Sequence, residues 1–270
     1  MRIAFSSDNH LDINRVEVSA VLTAQASFLS KQRIDYYVNT GDTFNDFAKT
    51  RAFYTALQAK VGTQTHIRYL AGNHDMLRGV TYAELEQNAD PLYLHNKMEV
   101  LGPDAVLIGH NGWYDYSFAP AQLTTTQLQH WKRGFWVDGV IQQPMNDQER
   151  FALALEQTAK MLMAAAGRRV FYATHFVPDI RFLDQRMLQN QKVGQYAAAF
   201  LGGRGMGNLL SQYPRVTAAF GHLHHRDGQR SLDGVTYLHS PVGYGTKRRH
   251  EWQSADFMTE WQNSLQIGEF

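Results

Sequence analysis

Five short apolar runs, rich in β-branched and aromatic residues, each break off in a polar cluster: RIAFSSDNH from Arg2, IDYYVNTGD from Ile34, HIRYLAGNHD from His66, RVFYATHF from Arg169 and RVTAAFGHLHH from Arg215. Their length and composition predict strands. Between the first two runs Val18, Val21, Leu22, Phe28 and Leu29 fall at helical spacing, and Phe53, Tyr54 and Leu57 do so between the next two. The chain therefore opens β-α-β-α-β, which predicts an α/β fold with largely parallel strands and polar clusters gathered at their carboxyl ends. The later runs AVLIGHNGWYDY and GVTYLHSPVGY are set off by shorter turns and predict a second, more antiparallel sheet packed on the first. The expected architecture is a layered β-sandwich of two mixed sheets flanked by helices. A further helix is predicted over Asn146 to Met163, with Asn146 as cap, Glu149 at the capping-box position and Phe151, Leu155 and Leu162 as its buried stripe.

Two stretches depart from this pattern. Residues 114–144 are rich in Trp, Tyr, Phe and Gln, and residues 184–207 are polar and end in GGRGMG, which reads as a flexible loop without the spacing of a phosphate-binding turn. Both are expected to be irregular excursions over a site, on one domain spanning 1–270. Trp113, Tyr114, Tyr116, Phe118, Trp131, Phe135 and Trp136 can form either a stacking platform or the core of a cap, and no periodicity separates the two readings.

Composition narrows the chemistry. Lys and Arg number 26 against 25 Asp and Glu, a net charge of +1, so no global field draws the protein to nucleic acid or membrane. Zero cysteines exclude disulfides, thiolate nucleophiles and sulfur metal sites, leaving nitrogen and oxygen ligands, with 12 histidines as the nitrogen source. MRIAFSSDNHLD lacks the apolar core of a signal peptide, and no apolar stretch approaches the ~20 residues of a membrane span, so a cytoplasmic location without membrane contact is expected.

The strand ends together offer Asp8, His10, Asp42, Asn73, His74, Asp75, His175, His222 and His224. In DNH and HLH the paired side chains lie two residues apart, so an extended chain would point both to one side. Such a set is too large for one tetrahedral ion and suits a pair of ions about 3.5–4 Å apart.

These blocks resemble the calcineurin-like metallophosphoesterase family, whose pattern runs D-x-H, G-D-x-x-D, G-N-H-[D/E], H and G-H-x-H. Asp8-Asn9-His10, Gly41-Asp42, Gly72-Asn73-His74-Asp75, His175 and Gly221-His222-Leu223-His224 match it in order. The second block departs from the pattern: in GDTFND, Asn45 stands where the family has aspartate, with Asp46 one residue on. The resemblance implies that Asp8, His10 and His224 hold one ion, that Asn73, His175 and His222 hold the other, and that Asp42 bridges them. It implies that a metal-bridging hydroxide attacks phosphorus, that His74 stabilises and protonates the leaving oxygen, and that Asp75 orients the His74 ring. The metals can be manganese, iron, zinc, cobalt or nickel.

Arg78 is the first candidate for contact with substrate phosphate, followed by Arg204 and Lys247-Arg248-Arg249. His66, His95, His110, His130, His239 and His250 read as surface or hydrogen-bonded groups, and His225 as a turn residue or a neighbour of the ligand pair. The leading expectation is a phosphoesterase acting on a small phosphoester, a diester before a monoester. A DNA nuclease is disfavoured by the absence of a basic stripe. A non-catalytic scaffold for a partner protein is disfavoured because all ligand positions and His74 are present. Nothing in the sequence decides the oligomeric state.

Overall fold

The computed structural model describes residues 1–87, 89–190 and 192–269. Strands β1 (Arg2–Ser6), β2 (Tyr36–Asn39) and β3 (His66–Tyr69) are joined by helices α1 (Val18–Lys31) and α2 (Phe47–Val61). They pair in parallel, and β10 (Gln266–Glu269) adds an antiparallel edge to give the order β10-β1-β2-β3. Helix α3 (Tyr82–Gln87) leads to the second sheet, which contains β4 (Lys97–Gly102), β5 (Ala105–Gly109), β6 (Arg169–Ala173), β7 (Val216–Phe220), β8 (Gly228–Leu232) and β9 (Val235–His239) in the order β4-β5-β6-β7-β9-β8.

Both sheets are mixed, as expected, but the centre of the second is parallel. β5, β6, β7 and β9 all run parallel, and antiparallel pairing is confined to the edge hairpins β4-β5 and β8-β9. The reason lies in the connections: β5 reaches β6 through α4 (Thr125–Phe135) and α5 (Asp147–Ala164), and β6 reaches β7 through α6 (Gln185–Asn190), α7 (Lys192–Ala198) and α8 (Arg204–Leu210). Crossovers of this length return a strand in parallel.

The sheets meet face to face. Alternation sends Ile3, Phe5, Tyr36 and Val38 of the first sheet against Leu107, Phe171, Ala173 and Leu238 of the second, and Phe5 stacks on Phe171 at 6.4 Å. Each buried ring or branched chain here contributes about 1.5–3 kcal/mol by leaving water. The opposite residues, such as Ala4, Tyr37 and Ile67, join the helix-covered core with Leu29, Tyr54 and Leu57. α1 and α2 cover the first sheet, and α9 (Phe257–Ser264) places Trp261 against Tyr37. On the other side α5 begins with the expected reciprocal cap between Asn146 and Glu149, and Thr158 reaches the Tyr172 hydroxyl on β6.

The excursions are more regular than the sequence suggests. Residues 114–144 contain α4 and a 3-10 turn, Val137–Val140, and residues 184–207 contain α6, α7 and the start of α8. GGRGMG is therefore no flexible loop. A side chain at Gly202 would collide with the Val177 carbonyl, so this glycine permits two backbones to touch where the helix begins.

Candidate active site

The carboxyl ends of β1, β2, β3, β6 and β7 converge at one end of the sandwich, three from one sheet and two from the other. The turns there are curled, not extended: Asp8, His10, Asp42 and His222 have φ of 57°, 43°, 60° and 70°. A left-handed residue of this kind costs about 1–2 kcal/mol, and four such residues are held by neighbouring hydrogen bonds. The backbone N–H of Asp8 donates to Gly41, that of His10 to Asp42 and that of Leu11 to Thr43, each at 2.9 Å. The pairing of Asp8 with His10 thus comes from a curl of the chain and not from strand alternation. Gly221 lets the β7 turn press on β1, because a side chain there would strike Ser7 and the Asp8 carboxylate.

Two ligand groups share one residue. His224 Nε2 lies 3.3 Å from Asp8 Oδ1 and 3.1 Å from His10 Nε2, which is 3.7 Å from Asp42 Oδ2. His175 Nε2 lies 3.4 Å from the same Asp42 oxygen, 3.2 Å from Asn73 Oδ1 and 3.2 Å from His222 Nδ1. All seven predicted metal-ligand residues are brought together, and Asp42 faces both groups.

The outward sides of these ligands show that they fit metal ions. His224 Nδ1 meets Glu251 at 2.8 Å, His175 Nδ1 donates to the Thr40 carbonyl at 3.0 Å, and His222 Nε2 donates to the Phe200 carbonyl at 3.1 Å. Each outward nitrogen keeps its proton there, so the inward one is the atom left to bind an ion once it gives up any proton of its own. Asn73 is set the same way: its amide N–H donates to Asp138 at 2.6 Å, turning its oxygen inward. The exception is His10, whose Nδ1 has no hydrogen-bond partner among the described residues.

Charge agrees with this geometry. Burial alone would raise the Asp8 carboxyl, but the hydrogen bond and charge of His224 hold it far below the usual range. Asp42 is likewise driven down against burial, chiefly by His175 and then His74. Burial opposes a charged ring at His175 and His224, yet Asp42 raises the first to about 9, and Asp8 with Glu251 raises the second to about 10. The carboxylates call for positive charge at the inward nitrogens, which a proton or a metal ion supplies. His222 is held down to about 3 by burial and by His175.

His74 sits beside the cluster, its ring 4.8 Å from that of His10. The expected orienting role of Asp75 is corrected by the hydrogen bonds. Its carboxylate accepts the backbone N–H groups of Asp42, Thr43, Phe44 and Gly72 at 2.7–3.1 Å and the Thr50 hydroxyl at 2.5 Å. Asp75 therefore organises the loop that carries Asp42, while burial and then the Asp42 charge push it up to about 7. The His74 ring is held instead by Asn45, whose Oδ1 lies 2.6 Å from Nδ1. Asp46 caps α2 through the Lys49 N–H.

Residues around these groups enclose a cavity of about 370 Å³. Asp42, Asn73, His74, His222 and His224 form its floor, Phe135, Trp136, Val137 and Leu201 an apolar wall, and Tyr244, Arg249 and Glu251 the remaining side. Arg78 does not line it: the side chain is exposed, and its carbonyl serves the first turn of α2. Arg204 is also elsewhere, on Ser117. Of the cationic candidates, Arg249 reaches the cavity.

A family model for calcineurin-like phosphoesterases matches residues 1–226. The chain belongs to that family. No curated protein matches this phosphoesterase by sequence. Among solved structures, phosphopantetheinyl hydrolase PptH from Mycobacterium tuberculosis is similar in fold at 17% identity and TM-score 0.66, covering 94% of this chain and 93% of that one. A dimetal phosphatase from Danio rerio is similar at 13% identity and TM-score 0.52, covering 89% and 87%. TT1561 of Thermus thermophilus is similar at 12% identity and TM-score 0.54, covering 99% and 97%. The phosphoesterase thus shares the fold of these structures, and among the described residues no helix is long and apolar enough to cross a membrane.

Sequence reasoning missed three contributors to this site. Tyr244, in the loop after β9, places its hydroxyl 3.3 Å from His74 Nε2 and its ring 4.5 Å from those of His10 and His224. The polar break SPVGYG at that strand end was its available signal. Glu251 and Asp138 carry no such signal.

Proposed function

We propose that this phosphoesterase hydrolyses a small phosphodiester using two ions, one on Asp8, His10 and His224, the other on Asn73, His175 and His222, with Asp42 shared. The observation that carries the reading is the cavity's two-sided lining. A floor of metal ligands faces an apolar wall, and Arg249 is the single Lys or Arg lining it among the described residues. A monoester dianion gains from several cations, whereas a diester monoanion needs fewer and has a second substituent to bury against Phe135, Trp136 and Val137. A nucleic-acid strand would need a longer cationic track.

Bound ions there would neutralise phosphate oxygens and acidify water near neutral pH. The chain's own contribution centres on His74. Asn45 Oδ1 can only accept from the His74 ring, so Nδ1 carries hydrogen and Nε2 faces the cavity. From there it holds a proton at the departing ester oxygen. The Tyr244 hydroxyl stands within reach of that nitrogen and limits the ring's swing.

The test is hydrolysis of a chromogenic phosphodiester and its matching monoester by protein stripped of metal and reloaded with manganese. Metal-dependent turnover favouring the diester supports the reading. Preference for the monoester, or no turnover with both ions bound, counts against it.

A further inference from the structure

The turn that delivers His222 and His224 to the cavity ends in a third imidazole that faces the other way. His225 Nε2 lies 2.9 Å from Asp227 Oδ2, and His239 Nδ1, at the end of β9, lies 2.9 Å from the same oxygen. The three ligand atoms lie within 4.8 Å of one another.

The hydrogen bonds around this cluster leave a charge to be supplied. His239 Nε2 is 2.8 Å from the Leu223 carbonyl, which can only accept, so Nε2 carries the ring's hydrogen. In the neutral ring, Nδ1 then directs a lone pair at a carboxylate oxygen, which repels unless a cation lies between them. A second ring proton is disfavoured because the side chain is 0% exposed and stacks on Phe220 at 4.3 Å, with Phe182 at its edge. The other Asp227 oxygen accepts from Arg230 at 3.1 Å. A backbone carbonyl behind the histidine and a donor behind the carboxylate form the outer support that metal ligands carry.

We propose that His225, Asp227 and His239 form a cation site separate from the cavity ligands, suited to zinc or a similar ion and open to solvent at a fourth position. Two imidazoles and one carboxylate match zinc better than calcium or magnesium, which take more oxygens. Tetrahedral ligand atoms lie about 3.3 Å apart, so the two 2.9 Å nitrogen–oxygen distances need to lengthen by a few tenths of an ångström. His225, 45% exposed, can move that far and leaves an entry path. The consequence is mechanical: Leu223 lies between His222 and His224, and the His239 ring grips its carbonyl. An ion on that ring would fix the turn from behind.

The test counts zinc. Metal-stripped protein is dialysed against micromolar free zinc, and equivalents per chain are measured by elemental analysis for wild type, His225→Ala and Asp227→Ala. Each variant should hold one equivalent fewer than wild type. The same comparison on an Asp42→Asn background separates this site from the cavity: the single variant should keep one equivalent that the double variant Asp42→Asn/His225→Ala loses. Equal counts in those two proteins overturn the proposal, whatever the cavity holds. A wild-type total below three with that difference intact would fault the two-ion reading instead. Matching melting temperatures of stripped wild type and His225→Ala exclude loss of fold as the cause.

Discussion

The floor and the wall of the cavity are built in different ways. On the floor, the proposed ligands sit at strand ends, some of them, such as Asp42 and His222, on curled backbone, and most have a hydrogen bond behind them. On the wall, α4 and the following turn present Phe135 at 75% exposure and Val137 at 39%, supported by stacking: Trp131 lies on Phe200 at 5.6 Å and 6°. Hydrogen bonds fix a direction, whereas stacked rings fix a surface and tolerate sliding. Chemistry needs the first kind of support, and choice of substrate can use the second.

Substitutions on the floor should therefore change turnover, and the largest effect short of removing a ligand is expected at His74. His74→Ala should lower kcat roughly 10²–10⁴-fold on diesters with poor leaving groups, and much less on nitrophenyl esters whose oxygen leaves unaided. Metal content should stay at the wild-type value. Loss of metal in this variant would move His74 into the ligand set, and equal losses across leaving groups would remove it from proton transfer.

Asn45 sharpens the same point one contact further out. Asn45→Ala releases the His74 ring without touching a proposed ligand, and a loss of about 10–100-fold with the same leaving-group dependence is expected. A uniform loss across substrates would mean that the amide supports the loop and not the ring.

The floor should also respond to pH in a definite sense. With His175 raised to about 9 and His224 to about 10, both rings hold a proton near neutrality that an ion must displace. Metal affinity should therefore rise with pH, by about tenfold per unit for each ion below those values. Isothermal titration in buffers of different ionisation enthalpy would count the released protons, and a flat pH dependence would contradict the charge pattern.

Much of the floor was legible because its residues terminate strands, and a strand's apolar run makes its polar end conspicuous. The G-H-x-H turn after β7 and G-N-H-D after β3 stand out in this way. What could not be read was direction. Nothing in DNH announces two left-handed residues, and Asp75 next to His74 in sequence invites a pairing that five donors from elsewhere preclude. Asn45, Asp138 and Glu251 act through contacts 27 to 65 positions apart, and such contacts leave no local pattern. The second sheet was legible as strands, and the helix after Asn146 as part of one crossover, but the other crossover helices lie in stretches that read as irregular, which hid the parallel sense of the sheet's centre.

The wall was the least legible region because aromatic residues serve core and surface alike. The structure divides them: Trp113, Tyr114, Tyr116 and Phe118 are buried, Trp131 and Trp136 are partly covered, and Phe135 remains exposed at the cavity. If Phe135 receives the second ester group, Phe135→Ala should raise KM about 2–10-fold for an aryl diester, from the loss of one aromatic contact, and leave kcat unchanged. A methyl ester of the same nitrophenyl phosphate should show little change, since it offers no ring to stack. Equal effects on both would mean that Phe135 shapes α4 and not the substrate, and a fall in kcat would mean that wall and floor are not independent.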